Sequence, residues 1–171
     1  NVIVLLNGAA IDTIATTAGA DVTYPVAVDS IGMYEVTLIP FVLEEKPGAK
    51  TKVSAWIGVD VPAAVKEFNV ANTGATLEFS WEAVGNVGAH GSVVYPEKVT
   101  YDIYPAEIVE LFGELFPILG EKMNEEPISG TTFSIPNDIE DQEYLYYAVV
   151  AENEAGESEE TIGGVLAGQP Y

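Results

Sequence analysis

The chain has 171 residues with 27 Asp and Glu, six Lys, one His and no Cys, so its formal net charge is −21. This balance excludes nucleic acids and anionic membrane surfaces as partners, because both are bound by clustered cationic side chains. Without Cys and with a single His, disulfides, thiolate zinc sites and multi-histidine metal centres are excluded, and no cofactor is expected. A hydrophobic content of 48% still predicts a folded chain with a hydrophobic core.

The N-terminal segment is an apolar run, Val2–Leu6, directly after Asn1. A chain that begins inside such a run is expected to be a piece of a longer protein. Gly, Pro or acidic residues interrupt every apolar stretch well before the ~20 residues that a bilayer requires, so no membrane insertion is predicted.

Alternating apolar and polar residues predict β-strands in nearly the whole chain. The clearest runs have large side chains at every second position: Tyr34-Val36-Leu38, Leu77-Phe79-Trp81 and Val99-Tyr101-Ile103. Residues that favour turns separate the runs at Asn7-Gly8, Pro47-Gly48 and Asn72-Thr73-Gly74. This pattern predicts an all-β sandwich.

The sequence contains an internal repeat. A shift of 111 residues places Gly19–Pro25 on Gly130–Pro136 and, without a gap, Tyr34-x-Val36-x-Leu38 on Leu145-x-Tyr147-x-Val149. A slip of three residues then brings Val59–Pro62 onto Ala167–Pro170, so that each copy closes before a proline. We therefore predict two modules, residues 1–61 and residues 62–171.

The second module carries Leu77-x-Phe79-x-Trp81 near its start, and Tyr147-x-Val149-x-Ala151 followed by the turn Asn153–Gly156 near its end. On these residues it resembles a fibronectin type III module, over residues 63–168. The resemblance implies tandem immunoglobulin-like β-sandwiches with strands lettered A to G. The stretch Tyr95–Asp102 resembles modules of surface and secreted proteins of gut-type Bacteroidetes, which implies an extracellular or cell-surface location.

The first module has no counterpart of strands A and B, which occupy residues 63–81 in the second. It is expected to contain strands C to G only, with one apolar sheet face uncovered. The missing strands were either removed from a longer protein or are supplied by a neighbouring molecule, so this module is a candidate for self-association. The family also places a tyrosine near the start of strand F that bonds back to the E–F corner. Tyr34 occupies this position in the first module and Leu145 in the second, so the bond is expected only in the first.

The second module has an insertion near residues 106–126. The two modules align with an offset of 97 residues at Val2 and Val99, but with an offset of 111 residues later in the chain. The second module therefore has about 14 more residues than the first between these points. Apolar residues in this insertion have the spacing of an amphipathic helix, although Gly113 and Pro117 disfavour a long one, so a short helix or a hairpin is predicted. The insertion either packs over the edge of its own sandwich or presents Phe112 and Phe116 to a partner.

Catalytic and metal sites are not predicted. His90 lies in the loop Gly88–Gly91 and is interpreted as a polar surface residue, because no serine motif or second histidine accompanies it. The acidic clusters lack a calcium-loop pattern and are interpreted as a solvated face, with calcium binding left open. These clusters lie at Glu44-Glu45, Glu125-Glu126, Asp138–Glu143 and Glu152–Glu160.

Two functions are consistent with these features, and neither is enzymatic. The resemblance implies spacer or adhesion modules that contact another protein or position neighbouring domains, with Val59–Pro62 as a short rigid linkage. The alternative is a carbohydrate-binding accessory module, whose ligand would stack on exposed aromatic side chains. The candidates for that role are Tyr95, Tyr104, Tyr144 and Tyr146.

Overall fold

The computed structural model describes residues 1–42, 46–139 and 141–168. Within these ranges the regular structure is β-strand apart from one 3-10 turn, Pro96–Lys98, which confirms the prediction of an all-β protein. No helix in the described residues has the length and apolar character needed to cross a membrane. The chain divides into two compact units, Asn1–Gly58 (unit 1) and Val59–Tyr171 (unit 2).

Unit 1 is a single antiparallel sheet. Its strands are β1 (Val2–Leu6), β2 (Ala9–Ile14), β3 (Gly32–Val42), β4 (Lys46–Pro47) and β5 (Thr51–Ile57). They are ordered β2-β1-β3-β5, and β4 pairs with the end of β3. This order corresponds to strands C′, C, F and G, with no described strand in the positions of A and B. The predicted tyrosine corner is confirmed, because the Tyr34 hydroxyl donates to the Ser30 carbonyl oxygen at 2.9 Å.

Unit 2 contains two antiparallel sheets. Its strands are β6 (Lys66–Asn72), β7 (Thr76–Glu82), β8 (Thr100–Leu111), β9 (Glu114–Leu119), β10 (Thr132–Pro136), β11 (Glu143–Asn153), β12 (Gly156–Glu157) and β13 (Thr161–Ala167). One sheet is ordered β10-β7-β6, and the other is ordered β9-β8-β11-β13 with β12 on the end of β11. These are strands E-B-A and C′-C-F-G of an immunoglobulin-like sandwich, which confirms the predicted fold class.

The hydrophobic core of unit 2 lies between its two sheets. Alternate residues of β7, β8 and β11 point inward, so Phe79, Ile103 and Val149 are fully buried. Aromatic rings fill the centre: Phe79 meets Tyr147 edge-on at 5.0 Å, and Trp81 lies 5.3 Å from Tyr101. Burying each large apolar side chain stabilises the fold by about 1.5–3 kcal/mol.

A predicted strand is missing from unit 1. The repeat places strand E at residues 19–25, the counterparts of β10, but residues 15–31 form no strand. In unit 2, β10 is hydrogen-bonded to β7. Unit 1 has no described counterpart of β7, so a strand at residues 19–25 would have no partner for its backbone groups. The prediction of strands C to G in the first module is therefore wrong for strand E.

The insertion in unit 2 is a hairpin. Strand β8 continues past the sandwich to Leu111, and β9 runs back antiparallel to it. Glu114 pairs with Leu111 next to the turn, and Leu119 pairs with Ala106 at the other end. Phe112 and Gly113 form the two-residue turn, with φ of +56° and +83°. Two consecutive positive φ angles reverse the chain and end any right-handed helix at this point. Pro117 is tolerated because β9 is an edge strand. Of the two predicted alternatives, the hairpin is the one that forms.

Residues 59–62 belong to unit 2. Asp60 and Pro62 are fully buried, and the Asp60 backbone is bonded on both sides. Its N–H donates to the Val93 carbonyl at 2.8 Å, and its carbonyl accepts from Asn153 Nδ2 at 2.8 Å. This segment therefore packs as part of the sandwich itself.

Candidate functional site

The turn of the β8–β9 hairpin exposes a cluster of large apolar side chains. Phe112 is completely exposed at the turn, and Leu115 and Phe116 follow it on β9. We call residues 111–116 the hairpin tip. Its exposed apolar members are Leu111, Phe112, Leu115 and Phe116, and Ile118 is exposed further along β9. Apolar side chains gathered at one protruding end are typical of an interaction surface.

Unit 1 contains the equivalent hairpin, β1–β2, with a different residue in the turn. There the two central residues are Asn7 and Gly8, with φ of +48° and +83°, nearly the same backbone as Phe112 and Gly113. Asn-Gly is the preferred pair for such a turn, because Asn tolerates the left-handed region. A bulky residue there costs about 1–2 kcal/mol. The requirements of folding therefore do not explain Phe112.

The hairpin tip has an acidic surround. Glu107, Glu110 and Glu114 lie on the two strands of the hairpin, and the sequence has no Lys between Lys98 and Lys122. The surface therefore combines apolar anchors with negative charge. Such a surface complements an apolar pocket with cationic residues at its rim.

Three of the predicted tyrosines lie on the outer face of one sheet in unit 2. Side chains alternate along β11, so Tyr144 and Tyr146 point outward because Tyr147 points inward. Tyr104 of β8 pairs with Ala148 and lies on the same outer side. We call Tyr104, Tyr144 and Tyr146 the tyrosine face. The Tyr144 and Tyr146 rings meet edge-on at 5.1 Å and are 59% and 37% exposed.

Glycine and acidic residues shape the tyrosine face. The Tyr144 ring lies against Gly164 of β13, where a Cβ atom would come within 2.7 Å of it. Burial raises the pKa of Tyr104, and the charges of Asp102, Glu157 and Glu152 raise this pKa further. Carboxylates therefore lie near the half-buried ring. Together these residues provide ring faces and hydrogen-bond acceptors on one surface.

Tyr95 is not part of this face. It directly precedes the 3-10 turn, and Lys98 Nζ lies 5.2 Å from the centre of its ring. The predicted aromatic candidates therefore divide into three side chains that share a surface and one that does not. Sequence alone could not make this division, because it depends on which strands are neighbours.

The loop that contains His90 is held by a buried carboxylate. Asp60 is fully buried, and its carboxylate accepts the His90 N–H at 2.8 Å and the Ser92 N–H at 3.0 Å. His90 Nδ1 lies 2.7 Å from the other carboxylate oxygen. His90 lies at the surface, as predicted, but its loop is held in place by this buried carboxylate. Sequence reasoning missed Asp60 because it lies 30 residues before its partner, with no motif linking the two.

The pKa of Asp60 is lowered by this arrangement. Burial alone raises the pKa of the carboxyl group, because the charged form loses its hydration. The hydrogen bonds from the His90 side chain and from the backbone of Ser92 and His90 lower it by more in total. The carboxylate consequently stays ionised inside the protein and organises the loop around its charge.

In residues 1–42, 46–139 and 141–168, no three His, Asp or Glu side chains are grouped closely enough to hold a metal ion. Parts of the predicted acidic clusters, Glu44, Glu45 and Glu140, lie outside the described residues. For these three residues the interpretation as a solvated face, with calcium binding left open, stays a prediction.

The chain is similar to solved structures at low identity. A crystal structure of FN3tt is 16% identical, covers 65% of this chain and 98% of its own, and has a TM-score of 0.42. Domains d3–d4 of the rat CD45 extracellular region are 10% identical, cover 91% and 74%, and score 0.43. The FN1–FN3 domains of chicken CNTN1 are 13% identical, cover 80% and 44%, and score 0.41. Similarity at this level carries no argument about function. No protein-family model and no curated protein matches the chain.

Proposed function

We propose that this chain supplies non-catalytic modules of an extracellular or bacterial cell-surface protein, which contact another protein or position neighbouring domains. The observation that supports this function is Phe112, a fully exposed aromatic residue at a turn where folding favours Asn. Phe112 lowers the stability of the turn and is exposed to solvent, so its presence is explained by a function other than folding. Contact with a partner is such a function, since exposed aromatic anchors dominate binding at protein interfaces.

The partner surface that fits the hairpin tip is an apolar pocket with Lys or Arg at its rim. Phe112 and Leu115 fill the pocket, and Glu110 and Glu114 face the cationic rim. The acidic rim speeds encounter and discriminates against acidic partners, whereas the apolar anchors supply affinity.

The substitution Phe112→Asn tests this function. Because Asn-Gly is the preferred turn pair, the variant should be as stable as the wild type or more stable, by up to about 1–2 kcal/mol. Proteins retained from a surface extract of a gut Bacteroidetes culture by the immobilised wild type should be lost with the variant. Val87→Asn, at another exposed apolar residue, is the matched control and should retain them. Equal retention by wild type and Phe112→Asn would contradict the proposal.

The tyrosine face supports a second candidate, carbohydrate binding. Three tyrosines share one sheet surface, and carboxylates near Tyr104 can accept hydrogen bonds from sugar hydroxyls. Sugars have apolar C–H faces that pack on aromatic rings, and they are neutral, so the net charge of −21 does not oppose them. The exposed Tyr144–Tyr146 pair is the part of this surface best placed to stack on a ligand.

A glycan array distinguishes the two candidates. Reproducible binding by the wild type that Tyr104→Ala and Tyr144→Ala each abolish would favour carbohydrate binding. Tyr95→Ala is the control, because Tyr95 lies outside the tyrosine face. Binding that survives all three substitutions, or no binding, would reject this second candidate and leave the protein-contact function untouched.

A further inference from the structure

Unit 1 exposes an apolar sheet face that unit 2 buries. Val36 and Leu38 of β3 occupy the repeat positions of Tyr147 and Val149, which are 5% and 0% exposed in unit 2. In unit 1, Leu38 is 38% exposed, Val53 of β5 is 61% exposed and Ile57 is 41% exposed. The cross-strand register places Val53 beside Val36 and Ile57 beside Gly32, on the same side of the sheet as Leu38. We call Val36, Leu38, Val53 and Ile57 the open face.

Only part of this side of the sheet is uncovered. Val4 of β1 points to the same side as Leu38 and is fully buried. Asp12, its register partner on β2, accepts a hydrogen bond from the Tyr24 hydroxyl, which raises the tyrosine pKa. The segment after β2 therefore lies near the β1–β2 half of the sheet and reaches β3 at Tyr34, whereas Leu38, Val53 and Ile57 stay exposed.

The open face is not shaped for a sheet like the one in unit 2. There the position equivalent to Val53 is Gly163, paired with Tyr147 as Val53 is paired with Val36. Gly163 has no side chain because the Phe68 ring packs on it; a Cβ atom would lie 2.9 Å from that ring. Val53 fills this space. The face therefore suits a flat partner of aliphatic side chains.

The distribution of charge favours a second copy of the chain at this face. Residues 1–58 contain six acids and three Lys, a net charge of −3, whereas residues 59–171 contain 21 acids and three Lys, a net charge of −18. The open face itself has no charged side chain. Two hairpin tips would bring Glu110 and Glu114 of both copies together, whereas two open faces bring no charged side chains into contact.

We infer that the open face packs against the same face of a second copy, so that two single sheets form one two-layered sandwich about a twofold axis. Such an interface is self-complementary, as closed dimers require. Sheets in this arrangement lie about 10 Å apart. A stable interface buries about 1,200–2,000 Å², and half a sheet face supplies less, so the expected dimer is weak, with Kd in the micromolar range. This inference is independent of the function proposed for the hairpin tip.

Sedimentation velocity of the full chain tests the dimer, with matched variants on neighbouring residues of β5. Val53 lies on the open face, and Ser54 lies on the opposite side of the same strand, beside Glu35. The wild type should change from monomer to dimer between about 1 and about 200 µM protein. Val53→Lys should weaken dimerisation at least tenfold, and Ser54→Lys, with the same added charge, should leave it unchanged. Circular dichroism checks that both variants are folded.

Three outcomes would overturn the inference. A wild type that is monomeric at about 200 µM would show that a second copy does not cover the face. Equal loss in both variants would indicate an effect of charge and not of the face. Loss of the dimer in Phe112→Asn but not in Val53→Lys would assign the contact to the hairpin tip.

Discussion

The carboxylate of Asp60 organises a loop that lies 30 residues later in the chain. Three donors converge on it, and its burial means that water cannot replace any of them. Gly88 allows the close approach, since a Cβ atom there would lie 2.4 Å from the Val61 carbonyl oxygen. One buried carboxylate and one glycine thus hold the loop of residues 88–92 against the core.

Asp60→Asn should destabilise unit 2 by about 1–3 kcal/mol at pH 7, because the amide nitrogen cannot accept from the loop N–H groups. The folded-state pKa of Asp60 lies below its unfolded value of about 3.9. The stabilising contribution is therefore complete above this value and is lost as the pH falls through the lower folded-state pKa. Urea unfolding of both proteins between about pH 7 and pH 2.5 should show the difference shrinking with acid.

The matched control for this prediction is Glu97→Gln, which changes the net charge equally at an exposed position. It should leave stability near the wild-type value at pH 7. A stability difference between wild type and Asp60→Asn that persists at the lowest pH would contradict the role of the ionised carboxylate.

Strand β13 shows how one element serves both faces of a sheet. Gly163 points inward and leaves space for the Phe68 ring, and Gly164 points outward beneath the Tyr144 ring. Two adjacent glycines weaken a strand, because they lose more backbone entropy on folding than other residues. Here each makes room for an aromatic ring, one in the core and one on the tyrosine face.

Substitution of these two glycines by Ala should have unequal effects on stability. Gly163→Ala places a methyl group 2.9 Å from the Phe68 ring, which is packed against the core, and should cost about 1–3 kcal/mol. Gly164→Ala meets the far end of the exposed Tyr144 side chain, which can rotate away, so stability should be unchanged or slightly higher. Thermal unfolding followed by circular dichroism measures both effects. Equal losses of stability in the two variants would contradict the prediction that the Tyr144 ring can move away while the Phe68 ring cannot.

The whole molecule combines a complete sandwich with a single sheet, and its charge is divided unequally between them. Unit 2 has an aromatic core between two sheets and a net charge of −18, whereas the described residues of unit 1 form a single sheet and the unit has a net charge of −3. A sheet that is apolar on one face needs a partner layer to bury it. The unit with low charge is therefore also the unit with an uncovered apolar surface.

Local pattern determined much of this architecture from sequence. Side chains alternate across a strand, so Leu77-x-Phe79-x-Trp81 and Val99-x-Tyr101-x-Ile103 predict inward faces that the structure buries. The internal repeat predicted two related modules, and the family resemblance predicted the corner bond of Tyr34. These features depend on neighbours in the chain or on one repeated pattern, and such information is present in a single sequence.

Tertiary structure decided everything that depends on pairing between distant segments. Residues 19–25 have the pattern of a strand but no partner strand, and the apolar spacing of the insertion suits a helix but is accommodated in a hairpin. The Asp60–His90 contact and the shared surface of Tyr104, Tyr144 and Tyr146 likewise exist only once the strands are neighbours. A hydrogen bond or a ring contact requires two groups to lie close together in space. The sequence gives the chemical type of each group but does not show which distant residues become neighbours.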